Sequence, residues 1–420
     1  MLSVSEALNK ILSSLTPVGI EDVPLTQAAG RVLSNDITSS LDLPQFSNSS
    51  MDGFAVRAGD ILEALPDQPI TLSVIEDIPA GQFPKKKIGI GQTARIMTGA
   101  PIPDKSDAII PIEDTDQYIE GTRSGTNLPT EIKVYRSVKP GVYIRNKGED
   151  LSVGKVVLDS YSRLRPQDIG LLAMLGISRV SVFRRPRIVI LSTGDELLPV
   201  EKPLQPGKIH DSNAYTLSAL IYRDGGEAVY LGIVPDREHA VRDILEQAVS
   251  SNADLIISSA GVSVGAFDFV RSVVQSDGNL EFWRVNMRPG KPLTYGNFQG
   301  IPFIGLPGNP VSAFVGYEVF VRPSILKLSG VKIASRTSIK VKVSQDIESD
   351  GRESYLRAIV RSQKGEMVAT LTGHQGSGNL LSLVQANALL IIPSGVKSLP
   401  SGTVADAWLL EPYLISSGMI

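Results

Sequence analysis

The chain has no cysteine among its 420 residues. Disulfides, thiolate metal sites and a cysteine nucleophile are therefore excluded. Histidine is nearly as scarce, with only His210, His239 and His374, so a multi-histidine metal centre is not expected. Any metal must then be a hard ion on carboxylate oxygens, magnesium or calcium. No sign of charge dominates: 41 Lys and Arg against 44 Asp and Glu give a formal net charge of -3. The densest basic run, Lys85-Lys86-Lys87, sits in a loop flanked by Pro and Gly and reads as solvated surface, not as a nucleic-acid patch. No run of about 18 apolar residues occurs, and the opening MLSVSEALNKILSSL lacks both a basic start and a long apolar core. The expectation is a cytoplasmic protein that engages neither membrane nor nucleic acid.

What is present describes a folded chain, 42% hydrophobic and 20% charged. Its length suggests about three domains at roughly 100–200 residues each. Val4, Ala7, Leu8, Ile11, Leu12 and Leu15 recur at helical spacing behind Ser3 or Ser5, and a second helix is expected over Leu25 to Leu33. From Gly53 to about Gly148, short apolar runs interrupted by Pro and Gly predict an all-β module. Arg165-Pro166-Gln167-Asp168 opens another helix. From Arg187 onward strands and helices alternate, which predicts a three-layer domain on a parallel sheet. Residues 335–412 return to short strands and predict a small barrel or sandwich. The fold class is thus multidomain α/β plus β.

Within the alternating region, Leu255-Ile256-Ile257 breaks into Ser258, Ser259, Ala260, Gly261, Ser263 and Gly265, followed by Asp268. Small residues at a strand end let backbone N–H groups approach an anion closely. Thr193–Glu196, Pro235-Asp236 and Pro307-Gly308-Asn309-Pro310 also fall at strand ends, where ligands of such sheets bind. Glu196, Asp236 and Asp268 beside phosphates would repel them unless a divalent cation intervened, so magnesium is expected. Arg284, Arg288 and Lys291 would neutralise oxyanions. The alternative is a nucleotide-binding or scaffolding module whose cations form ordinary salt bridges with those three carboxylates.

Seven stretches in order then give the chain a resemblance: Ser50–Ala55 (SMDGFA), Thr98-Gly99-Ala100, Gly148-Glu149-Asp150, Thr193–Leu197 (TGDEL), Gly261–Gly265 (GVSVG), Arg288–Pro292 (RPGKP) and Pro307–Ser312 (PGNPVS). The chain resembles the molybdopterin molybdenumtransferase family, which includes the E domain of gephyrin. The resemblance implies a helical linking domain (1–44 plus 146–180), an inserted β domain (45–145), a molybdopterin-binding α/β domain (181–330) and a C-terminal β-barrel (331–420). It implies a homodimer that turns adenylylated molybdopterin and molybdate into molybdenum cofactor and AMP with Mg2+. An adenylyltransferase and recipient molybdoenzymes would be further partners. Molybdopterin adenylyltransferase activity on ATP is the competing function. By position, Asp52, Asp150, Glu196, Asp236 and Asp268 are carried over as catalytic, with Asp236 and Asp268 at the nucleotide and Mg2+ end as the implied metal ligands. Thr98, Ser259, Gly261, Ser263, Gly265, Arg284, Pro307, Asn309 and Pro310 would bind the pterin nucleotide. Arg288, Lys291, Ser312, Arg352 and Ser377 would hold molybdate.

Overall fold

The computed structural model describes residues 1–118, 127–260, 269–332 and 336–410. The chain separates into two compact units. One comprises residues 1–35, 160–173 and 177–420, the other 36–159 with 174–176.

The first unit is built on a six-stranded sheet. Its spatial order is Glu227–Val234, Arg187–Thr193, Leu255–Ser259, Ile301–Leu306, Pro292–Phe298 and Gly278–Arg284. The parallel expectation holds for the first four strands, with Ile190 opposite Ile257 and Ile257 opposite Ile304. The last two run antiparallel and extend the sheet as a hairpin edge. Alternate residues of the central strands serve opposite layers. Ile188 and Ile190 join Leu217, Ile221 and Ile304 on one face, while Val189 and Leu191 join Val241, Leu245 and Phe303 on the other. Both faces are covered, which is why these strands are continuously apolar.

The N-terminal helix Val4–Ser14 belongs to the first of these layers. Ser3 and Glu6 form a reciprocal capping box at its start, and Val4, Ala7 and Ile11 enter the sheet's core. The helix expected over Leu25 to Leu33 is absent apart from a single 3-10 turn, Leu25–Gln27. Strand Ile20–Pro24 precedes it and pairs antiparallel with Arg179–Phe183, and Val32 and Leu33 bridge to Arg163 and Val182. β-Branched side chains that find a strand partner pack better there than in an isolated helix.

The barrel is closed. Strands Glu353–Gln363, Glu366–Leu371, Ser338–Val343, Val404–Leu409 and Ala388–Ile392 follow one another, and the last pairs back with the first. One further pairing matters for the site: Met287–Arg288 lies parallel to Glu353 and Ser354. The cationic turn of the α/β region is thereby hydrogen-bonded to the barrel.

The second unit contains the expected β module, a five-stranded sheet ordered Ala108–Pro111, Gly53–Val56, Gln92–Ile96, Ile70–Ile78 and Glu131–Val134.

Candidate active site

A cavity of about 680 Å3 opens where the parallel strands end, and its far wall comes from the barrel. Three strand-end turns form its floor. After Leu255–Ser259 come Ser259 and Ala260; after Ile301–Leu306 comes Pro307-Gly308-Asn309-Pro310; beyond Arg187–Thr193 lies Glu196. The first two turns touch so closely that a Cβ on Gly308 would come within 3.1 Å of the Ala260 methyl. Only glycine lets these backbones meet without displacement.

Of the sequence-predicted residues, Glu196, Ser259, Arg288, Lys291, Pro307, Asn309, Pro310, Ser312, Arg352 and Ser377 all line this one cavity. The Arg288–Lys291 turn is held by Gly290 at φ +100, a conformation that L side chains rarely adopt. Asn309 donates from Nδ2 to the Ser377 hydroxyl at 3.0 Å, and the Val311 N–H donates to the Ser377 carbonyl at 3.0 Å. These bonds tie the last strand-end turn to the barrel.

Other expected residues are placed elsewhere. The Arg284 guanidinium stacks on the Trp283 ring, 3.6 Å from its centroid, and does not line the cavity. Asp236 lies beside Asp195, whose carboxylate accepts its N–H at 3.3 Å. Burial, with the charges of Asp195 and Glu196, raises the Asp236 carboxyl above the usual range. Gly261, Ser263, Gly265 and Asp268 lie outside the described residues. Asp52, Thr98 and Asp150 belong to the second unit. There the Asp52 carboxylate accepts from the Thr98 N–H at 2.7 Å and from its hydroxyl at 2.8 Å, joining two motifs 46 residues apart. Asp150 pairs with Arg145.

Two groups of cavity residues escaped the sequence reading. The first is Asp211-Ser212-Asn213. The Asp211 carboxylate accepts the N–H groups of Asn213 and Ala214 at 3.1 Å each, and it accepts the Tyr230 hydroxyl at 2.8 Å. An Asp and a Ser just ahead of a helix are a start signal, so this cluster was detectable. The second is Arg357, which is 0% exposed in the middle of a barrel strand. Its guanidinium donates to the Ser382 hydroxyl and the Gly376 carbonyl, each at 3.0 Å. Among the described residues no carboxylate pairs with it. Burial, then the like charge of Arg288, lowers it to about 10, still cationic at neutral pH. Arg352 contrasts with it: Asp350 accepts its Nε at 3.0 Å, and Met287 accepts from Nη1 at 3.3 Å. Asp350 also lies 3.7 Å from Arg288.

A cavity lined by converging cations and neutral hydroxyls suits a small oxyanion joined to a larger anionic ligand. Comparison with known proteins defines the class. Residues 2–176 match "MoeA N-terminal region (domain I and II)", 189–327 match "Probable molybdopterin binding domain" and 340–410 match "MoeA C-terminal region (domain IV)". The molybdopterin molybdenumtransferase of a Nostoc species is 40% identical over 389 residues, covering 91% of this chain and 87% of the relative. Molybdopterin molybdenumtransferase 2 of Mycobacterium tuberculosis is 37% identical over 415 residues, covering 97% and 99%. The crystal structure of the molybdopterin biosynthesis MoeA protein of Pyrococcus horikoshii superimposes with a TM-score of 0.81 at 32% identity, covering 97% of this chain and all of that one. The chain belongs to the molybdopterin molybdenumtransferase family.

Proposed function

We propose that this transferase inserts molybdenum from molybdate into adenylylated molybdopterin, releasing AMP and forming molybdenum cofactor. The observation that carries the oxyanion assignment is the cation set of the cavity. Arg288 and Lys291 come from one turn and Arg357 from the barrel, and neither Lys291 nor Arg357 has a carboxylate partner among the described residues. Like charges lining one cavity disfavour one another, as the charge of Arg288 does that of Arg357. A bound dianion removes that cost. The scaffolding alternative required Arg284, Arg288 and Lys291 to be consumed in salt bridges with Glu196, Asp236 and Asp268. Arg288 instead approaches Asp350, at 3.7 Å.

The residues have separable tasks. Arg288 and Lys291 hold the oxyanion, Arg357 adds its positive field from within the barrel wall, Ser312 and Ser377 are hydroxyl donors, and Arg352 stands at the rim. The Ser259 and Pro307–Pro310 turns receive the pterin nucleotide. Asp236, whose carboxyl is raised first by burial and then by the charges of Asp195 and Glu196, is the proposed magnesium ligand among the described residues, where no group of three ligating side chains is formed. Magnesium bound there would neutralise phosphate oxygens; Asp268 is the second proposed ligand. We further propose a cytoplasmic homodimer and the four-domain division at residues 44, 146, 181 and 331.

The test is incubation of the purified chain with adenylylated molybdopterin, molybdate and Mg2+, followed by assay of AMP and of a reconstituted molybdoenzyme. Absence of AMP release would sink the proposal. The competing adenylyltransferase, an ATP-consuming activity of proteins that consist of the α/β domain alone, leaves the barrel's Arg352, Arg357 and Ser377 without a task. Formation of the adenylylated product from ATP and metal-free molybdopterin would favour it.

A further inference from the structure

The Asn213 side chain joins two of the three turns that make the cavity floor. Its Nδ2 lies 2.7 Å from the Ser259 hydroxyl oxygen and 2.7 Å from the Gly308 carbonyl oxygen. A carbonyl only accepts, so the Gly308 contact fixes the amide with its nitrogen inward, and both amide hydrogens are then used. The consequence falls on Ser259. Its oxygen accepts from Asn213, so its own proton must be given elsewhere. The residue is 2% exposed and lines the cavity, and among the described residues no acceptor takes that proton. Asn213 is itself only 8% exposed and is anchored through its N–H on Asp211 at 3.1 Å, so the amide is not free to turn away.

We infer that Asn213 is a positioning residue that commits the Ser259 hydroxyl to donate into the cavity, toward an anionic oxygen of the pterin nucleotide. Asparagine is suited to this task in a way its isostere is not. An aspartate in the same place could not donate to Gly308, would accept the Ser259 proton itself, and would add negative charge to an anion site. One buried amide would thus decide whether the strand-end turn presents a donor or an acceptor. The inference rests on the proposed function in taking adenylylated molybdopterin as the ligand of this floor.

The test titrates adenylylated molybdopterin, without molybdate, into the full chain and its variants. Asn213→Asp should weaken binding by about 10-fold to 100-fold, the range set by loss of a hydrogen bond to a charged group. Ser259→Ala should weaken it comparably, and the double variant should be no worse than the weaker single, because both changes remove the same donated proton. In the Asn213→Asp variant binding should recover as falling pH protonates the introduced carboxyl, a response that a packing role would not produce. Asn213→Ala enters the same cycle if Asn213→Asp does not fold. Unchanged binding in Ser259→Ala, or losses that multiply in the double variant, would overturn the role of Asn213 alone. A wild-type chain that bound no adenylylated molybdopterin would overturn the functional reading and this inference with it.

Discussion

The two walls of the cavity are made in opposite ways. The α/β wall is a set of turns, where small residues bring backbone and short side chains to the ends of parallel strands. The barrel wall is side-chain chemistry placed in and just ahead of the strand Glu353–Gln363, with the loop at 375–377 beside it. Two arginines five residues apart on it, Arg352 and Arg357, have the same chemistry and different circumstances. Arg352 is neutralised by Asp350, whereas Arg357 is buried against hydroxyl and carbonyl groups. A cation already paired has little left to offer a ligand, while a buried cation paired only with dipoles keeps its field. Proximity to the cavity is therefore a poorer guide to oxyanion binding than the state of each cation's partner.

The strongest way to break that comparison is Arg357→Ala. Removing a pre-organised cation should raise the molybdate concentration for half-maximal activity by about 100-fold, with partial recovery in Arg357→Lys. Wild-type molybdate dependence would end the argument for a field-bearing Arg357. Lys291→Ala comes next, since its ammonium is exposed and more easily replaced by water. An increase of about 10-fold in the same constant is expected, with binding of the adenylylated pterin changed by less than about threefold. Equal losses for both ligands would move Lys291 to the phosphate end. Arg352→Ala should cost about threefold or less, because Asp350 already screens it. A loss larger than that of Arg357→Ala would invert the ranking of the two arginines.

The smallest effect concerns Asp350 and is visible only as a function of pH. Hydrogen bonds from Arg352, with a smaller contribution from Arg288, hold its carboxyl down at about 2. A depressed carboxyl contributes stability that is complete above its unfolded value near 3.9 and disappears as pH falls toward the folded value. The side chain is partly exposed, so solvent limits the contribution to below about 1 kcal/mol. The difference in thermal midpoint between the chain and its Asp350→Asn variant should be constant from neutral pH to about 5 and shrink below about 4. A difference that grew on acidification would contradict the assigned pairing.

Most of the α/β wall was legible in the sequence. Its turns are local: Ser259, Pro307 to Pro310 and the Arg288-to-Lys291 turn are marked by Gly, Pro and Ser within a few residues, and all of them reached the cavity. Arg284 was misplaced by its neighbours in sequence, since an arginine next to Trp283 can stack on the ring instead of facing the ligand. Arg357 gave no local signal. Its strand reads Tyr355-Leu356-Arg357-Ala358, in which one charged residue interrupts an apolar run, a pattern shared with many solvent-facing positions.

By itself, the sequence determined the cysteine-free, carboxylate-and-arginine chemistry, the alternation that builds a sheet with ligands at its strand ends, and the motif order that marks the family. These follow from composition and short-range geometry. Tertiary structure alone decided three things. The stretch after Pro24 forms a 3-10 turn and bridges instead of a helix, because strand partners arrive from residues 163 and 182. Asn213 reaches Ser259 and Gly308 across 46 and 95 residues of chain. Closure of the barrel, with Met287–Arg288 laid beside Glu353 and Ser354, sets Arg352 against a carboxylate and buries Arg357 without one. Each depends on which distant groups share one low-dielectric space, and no window of local sequence carries that information.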